Sequence, residues 1–262
     1  MLMMFQQLVQ VCQVMVIISF SSSITSLASL LPPGEVAALR QIGKTLNEDG
    51  RVSLNLGDRC ESGKNVTITR YPPTRGMTST ISCNCSIGDD KFCHITSFEL
   101  KDYDLSGRLP PDLANLTYVR KISLTANRLS GNIPGYLGNF TALNYLILSS
   151  NKLVGTLPEA LAQIKDLGDF RVSDNNLNGT VPKFIGSWTQ LRRLGLCATG
   201  LQGPVPSAIF LLEKLNDLKI SDTPGPEFRL PIVPKNMKFL VLRNINLNGT
   251  IPEEAWSVEK TL

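Results

Sequence analysis

The sequence predicts an α/β solenoid, a curved stack of short repeats with a parallel sheet on its inner side. The first observation is a 24-residue period from residue 119 to residue 214, with units starting at Val119, Leu143, Leu167 and Leu191. The second is that glycine and proline recur twelve and fifteen residues into each of these units. Fixed self-similarity at this period is typical of solenoids, whose units bury their apolar faces only by stacking on their neighbours.

Each unit begins with a segment that predicts a short strand. Its apolar residues stand at offsets zero, three and five, and an alternation of period two turns the leucines inward and the polar residues outward. Asn127, Asn151 and Asn175 follow at offset eight, where an amide side chain can bond the backbone of a turn. Glycine and proline then end the regular run. Parallel strands stacked about 4.8 Å apart would form a concave sheet.

The same frame extends beyond the four regular units. It starts at Ile95 and continues through an irregular sixth unit that starts at Leu215 and has Glu227 where glycine is expected. Met237 restarts the pattern. We therefore predict about seven units over residues 95–257, the sixth irregular, and a truncated C-terminal end at 258–262.

The N-terminal 28 residues resemble a targeting segment. The apolar run VCQVMVIISF is short for a bilayer span, and Ser26, Leu27 and Ala28 fit a small-x-small cleavage site. We predict a signal peptide at 1–28, with a retained N-terminal anchor as the alternative. No apolar stretch of about 20 residues follows, so we expect no membrane span. The net charge of +4, without basic runs interleaved with aromatics, argues against nucleic acid as a partner.

Residues 29–94 are predicted to form an N-terminal cap over the first repeat. A helix is expected from Glu35 to Leu46, because its apolar residues share one face. Four cysteines follow, Cys60, Cys83, Cys85 and Cys93. Two disulfides would each stabilise so small a cap by about 2–4 kcal/mol. Of three pairings we favour Cys60–Cys83 with Cys85–Cys93, because Cys83 and Cys85 cannot easily bond each other. Zinc is the less favoured alternative, since the paired C-x-x-C spacing is missing.

Sequons for N-glycosylation support an extracellular compartment. The six acceptors are Asn65, Asn84, Asn115, Asn139, Asn178 and Asn248. Their positions in the repeat place none of them on the outward face of the predicted sheet. Glycans would therefore leave that face open.

Several segments together resemble the N-terminal ectodomain of plant leucine-rich-repeat receptor-like serine/threonine kinases. They are L-P-P-G-E-V-A-A-L-R at 31–40, S-C-N-C-S at 82–86, C-H-I-T-S-F-E-L-K at 93–101 and the G-x-[IVL]-P of the repeats. Within these receptors, the chain looks like the subgroup with a malectin-like domain after the repeats. D-R-C at 58–60 departs from the D-P-C expected there. The resemblance implies a leucine-rich-repeat fold and a receptor role.

Catalysis is not expected of this chain. It contains no Gly-rich loop before a lysine strand, no H-R-D and no D-F-G, so it lacks the kinase motifs of the full-length receptors. Its single histidine, His94, lies in the cap, so no Ser/His/Asp or Cys/His arrangement is available. We expect no cofactor and no metal.

Outward residues of the predicted sheet are the candidate ligand contacts. They are Tyr145, Arg171, Arg193, Gly195, Lys219 and Arg243. Gly195 is predicted to leave a dip between Arg171 and Lys219 that could take a carboxylate or an acidic sugar. The alternative is that Asp169 and Asp217 neutralise Arg193 on both sides while Arg171 and Lys219 stay solvated. Cys197 is expected on the same face, unpaired.

The function predicted is that of an extracellular ligand- or partner-binding ectodomain in cell-surface signal perception. Its expected partners are an extracellular peptide, a cell-wall carbohydrate or a co-receptor ectodomain. The expected location is the extracellular side of the plasma membrane in a full-length receptor, or a secreted state if the chain truly ends at Leu262. A secreted inhibitor of wall-degrading enzymes and a decoy or truncated receptor are the alternatives.

Overall fold

A computed structural model describes residues 31–52, 54, 56, 66–68, 78–88, 91–231, 233 and 236–250. The predicted signal peptide at 1–28, the sequon at Asn65, Cys60 and the predicted C-terminal end at 258–262 lie outside the described residues. The predictions made for those positions therefore stay predictions.

The helix and the first strands build the cap and the start of the array. Their bounds are α1 (Pro33–Thr45), β1 (Val66–Ile68), β2 (Ser79–Asn84), β3 (His94–Glu99), β4 (Lys121–Ser123), β5 (Ser130–Asn132), β6 (Tyr145–Ile147) and β7 (Lys152–Gly155). The remaining strands are β8 (Asp169–Arg171), β9 (Asn176–Leu177), β10 (Arg193–Cys197), β11 (Asp217–Ser221), β12 (Phe228–Arg229), β13 (Phe239–Arg243) and β14 (Leu247–Asn248). Short 3-10 helices return the chain over the back: η1 (Pro111–Asn115), η2 (Gly135–Asn139), η3 (Glu159–Gln163), η4 (Lys183–Ser187) and η5 (Ser207–Leu211).

The main sheet has nine strands in the order β1-β2-β3-β4-β6-β8-β10-β11-β13. The seven strands from β3 onward are parallel, as one strand per repeat requires. Their register is the one predicted, because the residues at offset two of each unit pair across every junction. These residues are Ser97, Lys121, Tyr145, Asp169, Arg193, Asp217 and Phe239. A second parallel sheet, β5-β7-β9, runs along the side of the array.

The predicted solenoid fold class is confirmed by how the inward side chains are buried. At offset three, Phe98, Ile122, Leu146, Phe170, Leu194 and Leu218 expose at most 1% of their surface. The equivalent Leu240 on β13, the last strand of the sheet, is only half-buried. Stacking between repeats therefore supplies the burial, and it is complete only where both neighbours are present.

Each strand of the array ends in the same turn. The residue at offset seven is left-handed in every unit, for example at Ala126 (φ 58°) and Asp174 (φ 53°). Short or polar side chains tolerate this conformation at low cost. The turn brings the offset-eight residue inward, so the asparagines predicted to bond a turn do so from a buried or half-buried position.

The cap differs from the prediction in two respects. Besides α1, it contributes β1 and β2, and β1 pairs antiparallel with β2, which pairs antiparallel with β3 and so lengthens the sheet. These strands escaped prediction because they stand outside the repeat. The helix starts at Pro33 rather than Glu35, since proline suits the first turn, where its missing N–H costs nothing.

The predicted Cys85–Cys93 disulfide is present in the structure. Cys83 is also disulfide-bonded, and its partner lies outside the described residues. Next to Cys93, the buried carboxylate of Glu35 lies 2.7 Å from His94 Nδ1 and accepts a 2.9 Å hydrogen bond from the backbone N–H of Ile95. These contacts join α1 to the first strand of the array.

Candidate functional site

The candidate site is the outward surface of the parallel strands, which we call the concave face. It consists of the side chains at offsets two, four and six on β3, β4, β6, β8, β10, β11 and β13. The strands place these side chains in rows whose neighbouring members are about 4.8 Å apart, so neighbouring charges in a row are close enough to pair. The composition of the face changes along the array, and three parts can be distinguished.

The N-terminal part of the concave face is electrostatically saturated. Glu99 is buried and receives Lys101 Nζ at 2.5 Å, Lys121 Nζ at 2.7 Å and the hydroxyl of Ser97 at 3.0 Å. Burial works to raise the pKa of Glu99, but the hydrogen bonds from the two lysines outweigh it and hold the pKa below its ordinary value. Both lysines are thus engaged with a carboxylate, and a ligand would have to compete for them.

The central part holds a buried aspartate. Asp169 has 3% of its side chain exposed and receives Arg171 in a two-bond contact, at 2.8 Å and 2.9 Å. Arg193 approaches the same carboxylate at 3.7 Å and keeps 53% of its side chain exposed. Burial raises the pKa of Asp169 above its ordinary value even though both arginines act to lower it. Of the two arginines, Arg193 is the one whose N–H donors are not occupied by hydrogen bonds to Asp169.

The structure does not contain the dip that was predicted at Gly195. The register places Gly195 between Arg171 and Lys219 as expected. However, Gly195 is buried, and a Cβ there would lie 3.3 Å from Arg171 Cγ and 3.3 Å from Ser173 Oγ. The stem of Arg171 covers the glycine because its head turns to Asp169 on the same strand. Arg171 is therefore not the free, solvated cation that the sequence suggested.

The C-terminal part of the concave face is more open. Lys219 Nζ stands 3.6 Å from Asp217 Oδ1, beyond hydrogen-bond distance, and that oxygen is a buried acceptor without a hydrogen-bond partner in the described part of the chain. Phe239 and Val241 expose 46% and 43% of their surface. Arg243 is 74% exposed in its side chain and contacts Asp222 at 3.1 Å.

A shallow cavity of about 270 Å³ opens at the edge where the central strands begin. Its walls include Tyr145, Asp169 and Arg193 from the concave face, with Asn144 and Gln190 from the preceding turns. Tyr145 is 41% exposed, and Lys121 Nζ lies 5.4 Å from its ring centroid. The cavity thus joins an aromatic wall to groups that donate and accept hydrogen bonds.

The structure also describes Cys197 and most of the sequons. Cys197 has a free, half-buried thiol on the concave face, and its backbone N–H donates to Ser173 Oγ. Five of the six sequon asparagines are described, and all five are exposed: Asn84, Asn115, Asn139, Asn178 and Asn248. None of them projects from offset two, four or six of the parallel strands.

Within the described ranges, no group of three histidine, cysteine or acidic side chains could hold a metal ion. In the same ranges, no helix combines the length and apolar character that crossing a bilayer requires. The concave face presents charged groups, hydrogen-bonding groups and exposed aromatic rings.

Comparisons with known proteins agree with this geometry. The Leucine Rich Repeat family model matches residues 142–164. The match makes this segment a leucine-rich repeat. A "Probable LRR receptor-like serine/threonine-protein kinase" of Arabidopsis thaliana is 36% identical over 116 residues, which is 43% of this chain and 11% of that relative. The chain thus spans about a tenth of that curated relative's length.

Two solved receptor-kinase structures from Arabidopsis have a fold similar to that of this chain. The receptor kinase GASSHO1/SCHENGEN3, in complex with CASPARIAN STRIP INTEGRITY FACTOR 2, has 33% identity and a TM-score of 0.55, covering 63% of this chain and 20% of its own. The receptor kinase HAESA, in complex with the peptide hormone IDA and the co-receptor SERK1, has 28% identity and a TM-score of 0.56, covering 61% and 27%.

Sequence reasoning missed two exposed apolar residues on the concave face, Phe239 and Val241. The signal was present, because both stand at outward offsets where polar residues prevail in the inner repeats. Sequence reasoning also missed that Glu99 forms ion pairs with both Lys101 and Lys121. The three residues stand at neighbouring outward positions in register, and this would have indicated the cluster.

Proposed function

We propose that the chain is the extracellular ligand- or partner-binding part of a plant receptor-like kinase. The observation that carries this proposal is the concave face itself. It presents exposed aromatic and cationic side chains from consecutive strands, and no sequon lies on it. Exposed aromatic and arginine side chains are the residue types that dominate binding energy at interfaces.

The proposed partner is an extracellular peptide or a co-receptor ectodomain. Two ectodomains with similar repeats were solved in complex with partners that their descriptions name as an integrity factor in one case, and a peptide hormone and a co-receptor in the other. A cell-wall carbohydrate remains an alternative proposal that the aromatic wall at Tyr145 favours. The finer assignments belong to the same proposal: a signal peptide at 1–28, glycosylation at the sequons, and a subgroup with a malectin-like domain.

A steric block placed by one substitution tests this function. Lys219→Asn puts an asparagine two residues before Ser221 and so completes an Asn-x-Ser sequon on the concave face. Lys219 is about half exposed, so a glycan there would project over β10 and β13. The binding probe is a yeast-displayed library of random linear peptides, selected on the secreted, glycosylated chain.

The matched control puts a glycan on the back. Ser187→Asn precedes Thr189 by two residues, at the end of η4, where Asn115 and Asn139 end η1 and η2. Selected peptides should bind this variant normally and the Lys219→Asn variant at least about tenfold more weakly. Occupancy is checked by the mass lost on deglycosylation. Equal binding to both glycosylated variants, or failure of any peptide to enrich, would overturn the proposal.

A further inference from the structure

One row of the concave face combines apolar ends with a charged centre. It runs across five adjacent strands, from β6 to β13, and consists of Tyr145, Asp169, Arg193, Asp217 and Phe239. We call it the anchor row. Each member is the register partner of the next, so the row is a direct line over the sheet rather than a loose patch.

The two ends of the anchor row are exposed without a folding reason. Tyr145 and Phe239 expose 41% and 46% of their surface. Each contacts a lysine, with Lys121 Nζ 5.4 Å and Lys219 Nζ 5.8 Å from the respective ring centroid. A cation held against an exposed ring stabilises it less than full burial of an aromatic side chain would. Both rings therefore remain available as anchors for a partner.

The separation of the two anchors sets a length. Four strand intervals of about 4.8 Å place Tyr145 and Phe239 roughly 19 Å apart along the row. An extended peptide advances about 3.3 Å per residue. Two of its side chains would therefore meet the two rings when they stand about six residues apart.

The centre of the anchor row favours an acidic side chain. Three cations, Arg171, Arg193 and Lys219, surround two carboxylates, Asp169 and Asp217. Arg171 occupies both oxygens of Asp169, so Arg193, which reaches that carboxylate only at 3.7 Å, retains unused donors. An arginine in this state offers a planar fork to a further carboxylate.

Asp217 offers no competing exposed acceptor on the other side of Arg193. Its Oδ1 is buried, without a hydrogen-bond partner in the described part of the chain, and Lys219 Nζ lies 3.6 Å from it.

We propose that the anchor row recognises an extended peptide with two apolar side chains about six residues apart and an acidic side chain near their midpoint. This inference rests on the proposed function and adds a rule for its ligand. The rule follows from the spacing of exposed rings and from the surplus of cations between them.

A displayed spacing library tests the rule. Each yeast-displayed peptide carries two leucines at a set separation, a glutamate two residues after the first leucine and glycine or serine elsewhere, so that the glutamate and both leucines of the six-residue spacing share one face of the extended peptide. Binding to the secreted chain should peak at a separation of about six and fall by about tenfold when the leucines stand two residues closer. Replacing the glutamate by lysine should abolish the peak. A maximum at the helical separations of three or four, or no maximum, would overturn the rule.

Variants of the chain supply the second readout. Tyr145→Ala and Phe239→Ala should each flatten the dependence on separation, because a single remaining anchor cannot measure a distance. Arg193→Gln should remove the preference for glutamate over glutamine at the peptide position between the two leucines. Leu211→Ala, which removes a 70% exposed leucine from η5 on the back, is the control and should change nothing. A spacing profile unchanged by Tyr145→Ala and Phe239→Ala would also overturn the rule.

The two proposals fail in different ways. If the glycan at Lys219→Asn blocks selected peptides but their binding shows no preferred separation, the rule is wrong and the binding function stands. If neither the glycan nor the anchor variants affect binding, both are wrong. Because the substituted side chains are exposed, thermal unfolding should confirm that every variant is folded.

Discussion

Two segments of the array occupy the same repeat frame but hold their repeats together differently. The asparagine segment, residues 119–190, has Asn127, Asn151 and Asn175 at offset eight. The threonine segment, residues 191–250, has Thr199, Thr223 and Ile245 at that offset. The backbone turn is left-handed at offset seven in both segments. The difference between them therefore lies in what the offset-eight side chain bonds.

In the asparagine segment, each amide bonds its own repeat and the preceding one. Asn127 Oδ1 accepts the N–H groups of Tyr103 and Leu105, and its Nδ2 donates to the carbonyls of Leu100 and Leu124. Asn151 and Asn175 repeat three of these four contacts one and two units later, and each accepts one N–H instead of two. The result is a ladder of side-chain hydrogen bonds that crosses every junction of the segment.

In the threonine segment, the hydroxyls bond only nearby backbone. Thr199 Oγ1 accepts the N–H of Leu201, and Thr223 Oγ1 donates to the carbonyl of Ser221. Neither contact reaches another repeat. A common period in the sequence therefore does not mean that the offset-eight side chains join the repeats in the same way. The segment without the asparagine ladder also carries Phe239, Val241 and Lys219, the exposed part of the concave face.

The largest expected effect is the loss of one ladder asparagine. Asn127→Ala would remove the hydrogen bonds to the Leu105 N–H and the Leu100 carbonyl, at about 1–3 kcal/mol for each group that stays buried, whereas the Leu124 carbonyl keeps Asn151 Nδ2. The free energy of unfolding should fall by roughly 2 kcal/mol or more. Chemical denaturation followed by circular dichroism measures it.

Asn176→Ala is the matched control, because Asn176 is an exposed asparagine one position beyond the ladder. Its effect should stay within about 0.5 kcal/mol. Equal losses for Asn127→Ala and Asn176→Ala would mean that the ladder does not hold the repeats together.

A smaller effect is expected in the threonine segment. Thr199→Val and Thr223→Val keep the side-chain volume and remove one local hydrogen bond each. Either change should cost about 1 kcal/mol. If either costs as much as Asn127→Ala in the same denaturation experiment, the contrast between the two segments is wrong.

The smallest effect concerns pH. The ladder amides do not titrate, so acid should weaken the array through carboxylates such as Glu99. Its pKa is lowered in the folded state, so the stability it contributes is present above its unfolded pKa and is lost as pH falls through the folded value. Glu99→Gln should therefore make stability less dependent on pH below about 4.5. Thermal unfolding between about pH 3 and 6 measures the slope.

Asp169 should act in the opposite direction. Its pKa is raised, so stability should increase as pH falls through the folded value. Asp169→Asn should consequently make acid destabilisation steeper.

A Glu99→Gln profile parallel to that of the unchanged protein would contradict the assignment of the lysine contacts to Glu99.

The sequence alone predicted the array well and the cap in part. Period and alternation fix which residues face inward, and stacking then leaves one register, so the row from Ser97 to Phe239 was predictable. The cap strands β1 and β2 were not, because they occur once and carry no period. The Cys85–Cys93 pair was predicted because short-range geometry excluded a Cys83–Cys85 bond.

The electrostatics of the concave face could be predicted only in part. Which columns face outward follows from the repeat. How their charges pair depends on side-chain direction, and Arg171 pairs within its own strand rather than reaching toward solvent. That choice covers Gly195 and removes the predicted dip. The lack of a hydrogen-bond partner for Asp217 Oδ1 likewise depends on side-chain direction, which the repeat does not specify.

The most direct test of a binding concave face is hydrogen exchange measured by mass spectrometry, with and without the peptide that enriches most strongly. Added protection is predicted in β6, β8, β10, β11 and β13, with little change in β4 or in η2 to η5. This pattern would place the partner on the concave face, along the anchor row. Protection confined to the lateral strands β5, β7 and β9, or to the 3-10 helices on the back, would contradict the account.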